Sequence, residues 1–197
     1  LYAQTKIKST YSQYAKVPSH LGVTGQEVAR RMLDMNGLEN VAVQQVAGTL
    51  TDHYDPSKKT VNLSQSIYGS SSIAALSVAA HECGHALQDK ESYGPLRLRS
   101  TLVPVANIGS SASWLLILGG VALSMTNLIT IGILLFSAAV LFQVVTLPVE
   151  FNASSRALAT LESEGFLTDE EVPHARKMLG AAALTTTLPL HHPGAHR

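Results

Sequence analysis

The chain has 197 residues, a formal net charge of zero and a charged fraction of 14%, against roughly 25% in soluble domains. This length allows one domain with a real core, or a small domain joined to membrane segments. The absence of a basic run argues against nucleic acid as a partner. Cys83 is the single cysteine, which excludes an intramolecular disulfide.

The N-terminal third has the pattern of helices in a small domain. Leu1–Ser12 mixes apolar and basic residues, which fits either the cytoplasmic end of a membrane helix or a surface helix. Thr24 and Glu27 form a capping box, which predicts a helix that ends near Gly37.

Two β-branched stretches, 41–46 and 60–64, flank a turn segment at 52–59 and predict a small antiparallel sheet. Such a sheet either offers an edge strand to an extended peptide or only covers the next helix. His53 in the turn segment is expected to be a surface histidine, with contact to the site as the less favoured alternative.

An alanine-rich apolar stretch runs into His81-Glu82-Cys83-Gly84-His85, an H-E-x-x-H pattern, and predicts a buried helix near 72–89. His81 and His85 then share one helix face, where two imidazoles can hold one Zn²⁺. Glu82 is placed to act as general base. Cys83 is rotated by about 200° from the zinc face and is interpreted as a buried thiol.

No Lys, Arg, Asp, Glu or His occurs from Ser100 to Val149. Within this stretch, 103–123 and 128–147 each have the length of a membrane-spanning helix, and a short polar break separates them. A buried hairpin in a soluble protein is the alternative, but the rest of the chain is too small to cover two such helices. A transmembrane helical hairpin is therefore predicted.

The charges around this hairpin predict its orientation. A two-span hairpin returns the chain to the side that it left, and the positive residues flank that side, whereas the connecting loop carries none. By the positive-inside rule, the zinc-binding side is cytoplasmic. These flanking residues are Lys90, Arg97, Arg99 and Arg156.

A zinc site with two histidines needs a third protein ligand. Glu150 is the first charged residue after the hairpin and is predicted to begin a helix with Pro148 near its first turn. The residues alone leave competitors open, and these are Asp89, Glu162, Glu164 and His174. Thr168–Glu171 is a second capping box, which predicts a helix through about Leu184. The three histidines of the tail, 185–197, are expected to be non-catalytic.

Taken together, these motifs resemble the YugP-type membrane-bound neutral zinc metallopeptidases of bacteria. The resemblance covers most of the chain and is carried by Tyr2–Gln4, Thr24–Arg30, Leu50–Pro56, Ala79–Ala86 and Leu147–Ser154. It implies a gluzincin-like site with His81, His85 and Glu150 on zinc and Glu82 as general base. Members usually carry an apolar segment ahead of the position of Tyr2 and often another after the last helix, so the total number of spans stays open.

The expected fold is a mainly α membrane protein with a small antiparallel β sheet, a zincin-like catalytic part and a transmembrane helical hairpin. Its expected divisions are the catalytic part at 1–99, the hairpin at 100–149, the third-ligand and C-terminal helices at 150–184, and the tail.

The expected function is zinc-dependent hydrolysis of peptide bonds at a bacterial plasma membrane, with a peptide or protein substrate and the lipid bilayer as partners. The alternative is a non-enzymatic membrane protein with a structural zinc site or an adaptor role. An oxyanion-stabilising donor is not assigned; the candidates are His53, Tyr93, Arg156 and His174.

Overall fold

A computed structural model describes residues 2–185, which form a mainly helical protein with one small mixed sheet. The predicted tail histidines lie outside the described residues. The elements are α1 (Tyr2–Tyr14), α2 (Gly25–Met35), β1 (Ala42–Val46), β2 (His53–Asp55), β3 (Thr60–Ser64), α3 (Gln65–Tyr68), α4 (Ile73–Lys90), α5 (Gly94–Ala122), α6 (Thr126–Ser163) and α7 (Val172–Thr185).

The described chain separates into two compact units. One unit combines 2–93 with 150–185, and the other is 94–149. The first contains the sheet, α4, the C-terminal part of α6 and a continuous apolar core to which α1, α2 and α7 also contribute. The second contains α5 and the apolar part of α6.

Local side-chain caps precede three helices, and the sequence predicts two of them, at Thr24 and at Thr168–Glu171. Thr24 accepts a hydrogen bond from the Glu27 amide at 3.3 Å, and α2 closes before Gly37, whose φ of +72° suits a residue without a side chain. Ser72 caps α4 in the same way through the Ala75 amide at 3.1 Å. At the second capping box, the Glu171 side chain accepts from the Thr168 amide at 3.0 Å, and α7 follows.

The prediction of a wholly antiparallel sheet was wrong. The strand order is β1-β3-β2, with β2 antiparallel to β3 but β1 parallel to it. The segment interpreted as a turn contributes β2, and Asp55 accepts hydrogen bonds from the amides of Ser57 and Lys58 to make the tight turn into β3. Because β2 takes the hairpin position beside β3, β1 is left on the opposite edge of β3, where it runs parallel.

The prediction of a separate helix beginning at Glu150 was also wrong. The helix is continuous from Thr126 to Ser163 and carries Pro148 in its interior. Proline removes one backbone donor from a helix. Beyond it, however, Ala153, Ala157 and Leu161 are fully buried in the core at helical spacing, and this packing outweighs one missing hydrogen bond.

The unit at 94–149 is an apolar helix pair packed through glycines. A Cβ at Gly132 would lie 2.9 Å from the Ser113 carbonyl oxygen, and one at Gly109 would lie 2.9 Å from that of Leu135. Among the described residues, Thr126–Ser163 is long and apolar enough to cross a membrane. α5 would supply a second span if its two halves, which meet at 47° between Gly109 and Ser111, are taken together.

Candidate metal centre

The H-E-x-x-H residues lie on the most deeply buried helix of the described chain. Every residue of α4 from Ile73 to Gln88 is buried, which its alanines allow because small side chains let other elements approach on all sides. His81 and His85 lie one turn apart, and their ring centroids are 4.8 Å from each other at nearly right angles. The rings therefore present two nitrogens to one point.

The third group at that point comes from α6. Glu150 is 2% exposed, and its two carboxylate oxygens lie 2.9 Å from His81 Nε2 and 3.4 Å from His85 Nε2. The ligand atoms of the three residues all lie within 4.8 Å of one another. The structure thus brings together the two histidines and the carboxylate that are separated by the apolar hairpin in the sequence.

The close approach of α4 and α6 depends on Gly84, which lies between the two histidines. A Cβ at this position would be 2.6 Å from the Ala153 carbonyl oxygen and 3.1 Å from its Cα. Both are backbone atoms, so α6 would have to shift to accept a side chain there. Gly84 therefore sets how near Glu150 can come to the imidazoles.

The Nδ1 atom of each histidine has a hydrogen-bond partner of its own. His81 Nδ1 lies 3.1 Å from the Ser154 hydroxyl, and His85 Nδ1 lies 2.9 Å from Gln88 Oε1. These contacts direct both Nε2 atoms towards Glu150. Outer hydrogen bonds of this kind commonly fix the ring orientation of histidines that bind metals.

The residues present fit a zinc ion. Two imidazole nitrogens and one carboxylate oxygen form the donor set of a three-ligand zinc site with one position left for water. Burial works against ionisation of Glu150, but the neighbouring His85 and His81 hold its pKa well below the usual range. A buried carboxylate kept ionised between two imidazoles is a setting that a divalent cation satisfies.

Glu82 lies beside this group and is buried, at 9% exposure. Asp52 approaches the same region from the start of β2. Burial raises the pKa of Asp52, the Ser64 amide and hydroxyl oppose this rise by donating to its carboxylate, and the charge of Glu82 adds to it. The two carboxylates are therefore close enough to repel each other, a proximity that sequence reasoning did not assign.

The other candidate ligands lie outside the group. Among the described residues that could hold a metal, His81, His85 and Glu150 gather without any of the four competitors. Asp89 is engaged by Tyr54 and Lys59, His174 contacts the Tyr14 hydroxyl, and the last two, Glu162 and Glu164, are exposed.

Cys83 is buried and reduced, as expected for the face opposite the histidines. Its Sγ lies 3.7 Å from the Ala29 carbonyl oxygen, and burial raises the pKa of the thiol. A thiol kept protonated in this way is a poor metal ligand and a poor nucleophile.

Several oxyanion candidates have other partners. Arg156 donates to Asn152 and to Glu91, at 2.8 and 2.7 Å. His53 lies 2.9 Å from the Thr51 carbonyl oxygen through Nδ1. Tyr93 lies in the loop between α4 and α5. None of these placements assigns the oxyanion role.

Sequence reasoning missed Gly84 and Gln88 as parts of the site, and it reached Ser154 only through the family resemblance, which marks 152–156 as a segment near the site without assigning roles. Gly84 carried a usable signal, since a glycine inside a buried helix usually marks a close approach of another backbone. Gln88 could have been found as the residue one turn beyond His85 on the same face. Ser154 lies 73 positions from His81 and carries no local signal.

Comparison with known proteins gives one family and one curated relative. A family described as "Putative neutral zinc metallopeptidase" matches residues 1–187. A protein of Bacillus subtilis (strain 168) named "Putative membrane protease YugP" is 56% identical over 184 residues, which cover 93% of this chain and 82% of the relative. No solved structure matches the chain.

Proposed function

The chain belongs to the neutral zinc metallopeptidase family, and from this premise we propose that it is a membrane-associated endopeptidase that hydrolyses peptide bonds. Zinc is the cofactor of this family. The observation that carries the proposal is the buried convergence of two Nε2 atoms and one carboxylate, with a second carboxylate on the adjacent residue of α4.

The residues divide the chemistry between binding and proton transfer. His81, His85 and Glu150 hold the metal, which when bound activates the hydrolytic water and polarises the scissile carbonyl. Glu82 accepts a proton from the attacking water and delivers it to the leaving amine. Burial of the group keeps its charges in a low-dielectric setting, where their interaction with the reacting atoms is strong.

The number of ligands favours catalysis over a structural zinc site. A structural site is closed by four protein ligands, whereas a catalytic site keeps one position for water. Within residues 2–185, the candidate group contains three metal-binding side chains. Glu82 adds to this argument, because a site that only links two helices has no use for a general base.

The membrane part of the proposal rests on the exposed surface of α6. Only 11% of its most apolar 18-residue stretch is buried, which argues against that stretch being the core of a soluble domain. The helix pair exposes Ile108, Trp114, Leu115, Leu118, Leu134 and Val144, each by more than half. Lipid is the partner that satisfies such a surface.

We also propose that the metal-binding side is cytoplasmic. Lys90, Arg97 and Arg99 precede the hairpin and Arg156 follows it, whereas Ser124–Asn127 between the two helices carries no positive charge. The chain would then leave and re-enter the cytoplasm on either side of 100–149.

A single substitution tests the proposed reaction. Glu82→Gln keeps the size of the side chain but removes its basicity, so peptide cleavage by the full chain in detergent is expected to fall by about 10²–10⁴-fold. Zinc content, measured on the same sample, is expected to stay at one per chain. A quenched-fluorescence peptide library provides the substrate, since the cleavage preference is unknown.

Glu162→Gln is the matched control, because Glu162 is an exposed carboxylate on α6 outside the group. Cleavage by this variant should equal that of the wild type. If the Glu82→Gln protein cleaves peptides as fast as the wild type, or the wild type cleaves none with zinc bound, the enzyme assignment is wrong and the structural reading takes its place.

A further inference from the structure

A line of hydrogen bonds connects His85 to the surface of the unit. His85 Nδ1 meets Gln88 Oε1 at 2.9 Å, and Gln88 Nε2 donates to Asn152 Oδ1, also at 2.9 Å. The same Oδ1 accepts from Arg156 Nε at 2.8 Å. Gln88 is fully buried, and the line crosses from α4 to α6.

Arg156, at the surface end of this series of hydrogen bonds, determines which group donates and which accepts in each of them. A guanidinium carries donors and no acceptor at any accessible pH, so Asn152 has to present its oxygen to Arg156. That oxygen can accept a second hydrogen bond but cannot donate one. Gln88 must therefore turn its NH₂ group towards Asn152, which leaves its carbonyl oxygen facing His85.

The order of donors and acceptors in turn decides whether His85 Nδ1 carries a proton. Gln88 Oε1 only accepts, so the 2.9 Å contact requires a hydrogen on His85 Nδ1. A proton held on this nitrogen leaves the other ring nitrogen as the one that can bind a metal. That nitrogen is Nε2, which lies 3.4 Å from the Glu150 carboxylate.

We propose that Arg156, Asn152 and Gln88 are positioning residues that keep a proton on His85 Nδ1, so that Nε2 is the nitrogen that binds zinc. The proposal rests on the proposed function, since it takes His85 as a metal ligand. It assigns a role to Arg156 at a distance from the reacting atoms rather than as an oxyanion donor.

The second histidine lacks this directional control. Its partner, the Ser154 hydroxyl, can donate or accept, so the 3.1 Å contact with His81 Nδ1 fits either tautomer. The two histidines therefore differ at Nδ1: Gln88 requires a proton on this nitrogen of His85, whereas Ser154 accommodates either state of it in His81.

Paired substitutions separate this role from simple bracing of α4 against α6. Asn152→Asp keeps an acceptor for both neighbours, whereas Asn152→Leu keeps the approximate volume and removes the acceptor. Gln88→Glu keeps an acceptor on His85 Nδ1 although it loses the NH₂ donor to Asn152, whereas Gln88→Met removes both. If the acceptor at each position is what matters, each acidic variant binds zinc like the wild type and each apolar variant binds it more weakly.

The first readout is zinc affinity, measured on the full chain in detergent by competition with a chelator. Gln88→Met and Asn152→Leu are expected to weaken zinc binding by about 10–100-fold, the usual effect of removing such a partner. Gln88→Glu and Asn152→Asp should stay within about threefold of the wild type. Glu91→Gln is the control, because it removes the ion pair to Arg156 Nη2 and leaves the Nε bond in place.

The second readout is the tautomer itself, from ¹⁵N-histidine spectra of the metal-free protein, with the His85 signals assigned by their loss in His85→Gln. The wild type and Asn152→Asp should show a proton on Nδ1, and Asn152→Leu a mixture of protonated and unprotonated Nδ1. Wild-type affinity in both apolar variants, equal losses in the acidic and apolar members of a pair, or an unprotonated Nδ1 in the wild type would each overturn the proposal. A wild type that binds no zinc would overturn the proposed function instead, while the spectra would still decide the tautomer.

Discussion

At the level of single residues, the Glu150 carboxylate is the part of the proposed metal centre that most needs a test. It is the ligand that the sequence leaves most open, and it is the group that both Nε2 atoms face. Its burial means that its charge has no water to offset it, so the two imidazoles and a cation are its natural partners. A neutral replacement would leave the geometry and remove the charge.

Glu150→Gln is therefore expected to weaken zinc binding by more than about 100-fold, beyond the loss of an outer hydrogen bond. The measurement is a competition titration with a zinc chelator. Glu164→Gln provides the reference, since Glu164 is exposed near the end of the same helix. Unchanged affinity in Glu150→Gln would mean that another group completes the site.

At the level of elements, the site depends on the distance between α4 and α6. Gly84 lies against the Ala153 backbone, and no flexible side chain is available to absorb an added methyl group. The cost of such overpacking is typically about 1–3 kcal/mol. Here the displaced helix carries the proposed third ligand, so stability and metal binding should change together.

Gly84→Ala is expected to lower both the thermal stability and the zinc affinity. If the shift of α6 reduces the free energy of zinc binding by about 1.4 kcal/mol, the affinity falls by about 10-fold. Gly180→Ala is the matched control, because a Cβ at Gly180 in α7 would meet no atom within 4 Å. Alanine should stabilise that helix by up to about 1 kcal/mol. If Gly84→Ala bound zinc like Gly180→Ala, the close approach would not control the site.

The elements also show what local patterns can predict. Thr24, Ser72 and Glu171 cap helices through bonds that span three residues, so the sequence contains the whole interaction. The pairing of β1 with β3 and the continuation of α6 through Pro148 depend on which distant surfaces are available to pack. No spacing within either segment carries that information.

The candidate site divides in the same way. His81, Glu82 and His85 follow from helical spacing, whereas Glu150 was favoured over its competitors by its position after the hairpin and by the family resemblance. The partners of the Nδ1 atoms differ in the same respect: Gln88 is three residues from His85, and Ser154 is 73 residues from His81. A contact between residues 73 positions apart cannot be predicted from local spacing and becomes visible only in the folded structure.

At the level of the whole molecule, the proposed metal ligands come from before and after a 56-residue apolar segment of the sequence, 94–149. Because the sequence leaves and returns on one side of the proposed hairpin, His85 and Glu150 can lie in the same compartment. A single crossing between them would separate the two ligands by a bilayer. The proposed site therefore requires an even number of spans between residues 85 and 150.

This requirement can be tested by cysteine labelling in bacterial membranes. Ser124→Cys places a thiol between the two apolar helices, and Ser92→Cys places one in the loop after α4. A membrane-impermeant maleimide should label Ser124→Cys in intact spheroplasts and Ser92→Cys only in inverted vesicles, as the positive-inside rule predicts. The native Cys83 gives a low background, because it is buried and its raised pKa keeps it as the thiol.

Labelling of both positions from the same side would contradict the hairpin, since 93–123 would then not cross the membrane. Labelling on opposite sides but in the reverse sense would keep the hairpin and place the metal centre outside the cytoplasm. An unsubstituted chain, labelled in parallel, checks that Cys83 contributes no signal. Because each position is assayed in both vesicle orientations, an unreactive thiol is distinguished from one on the far side of the bilayer.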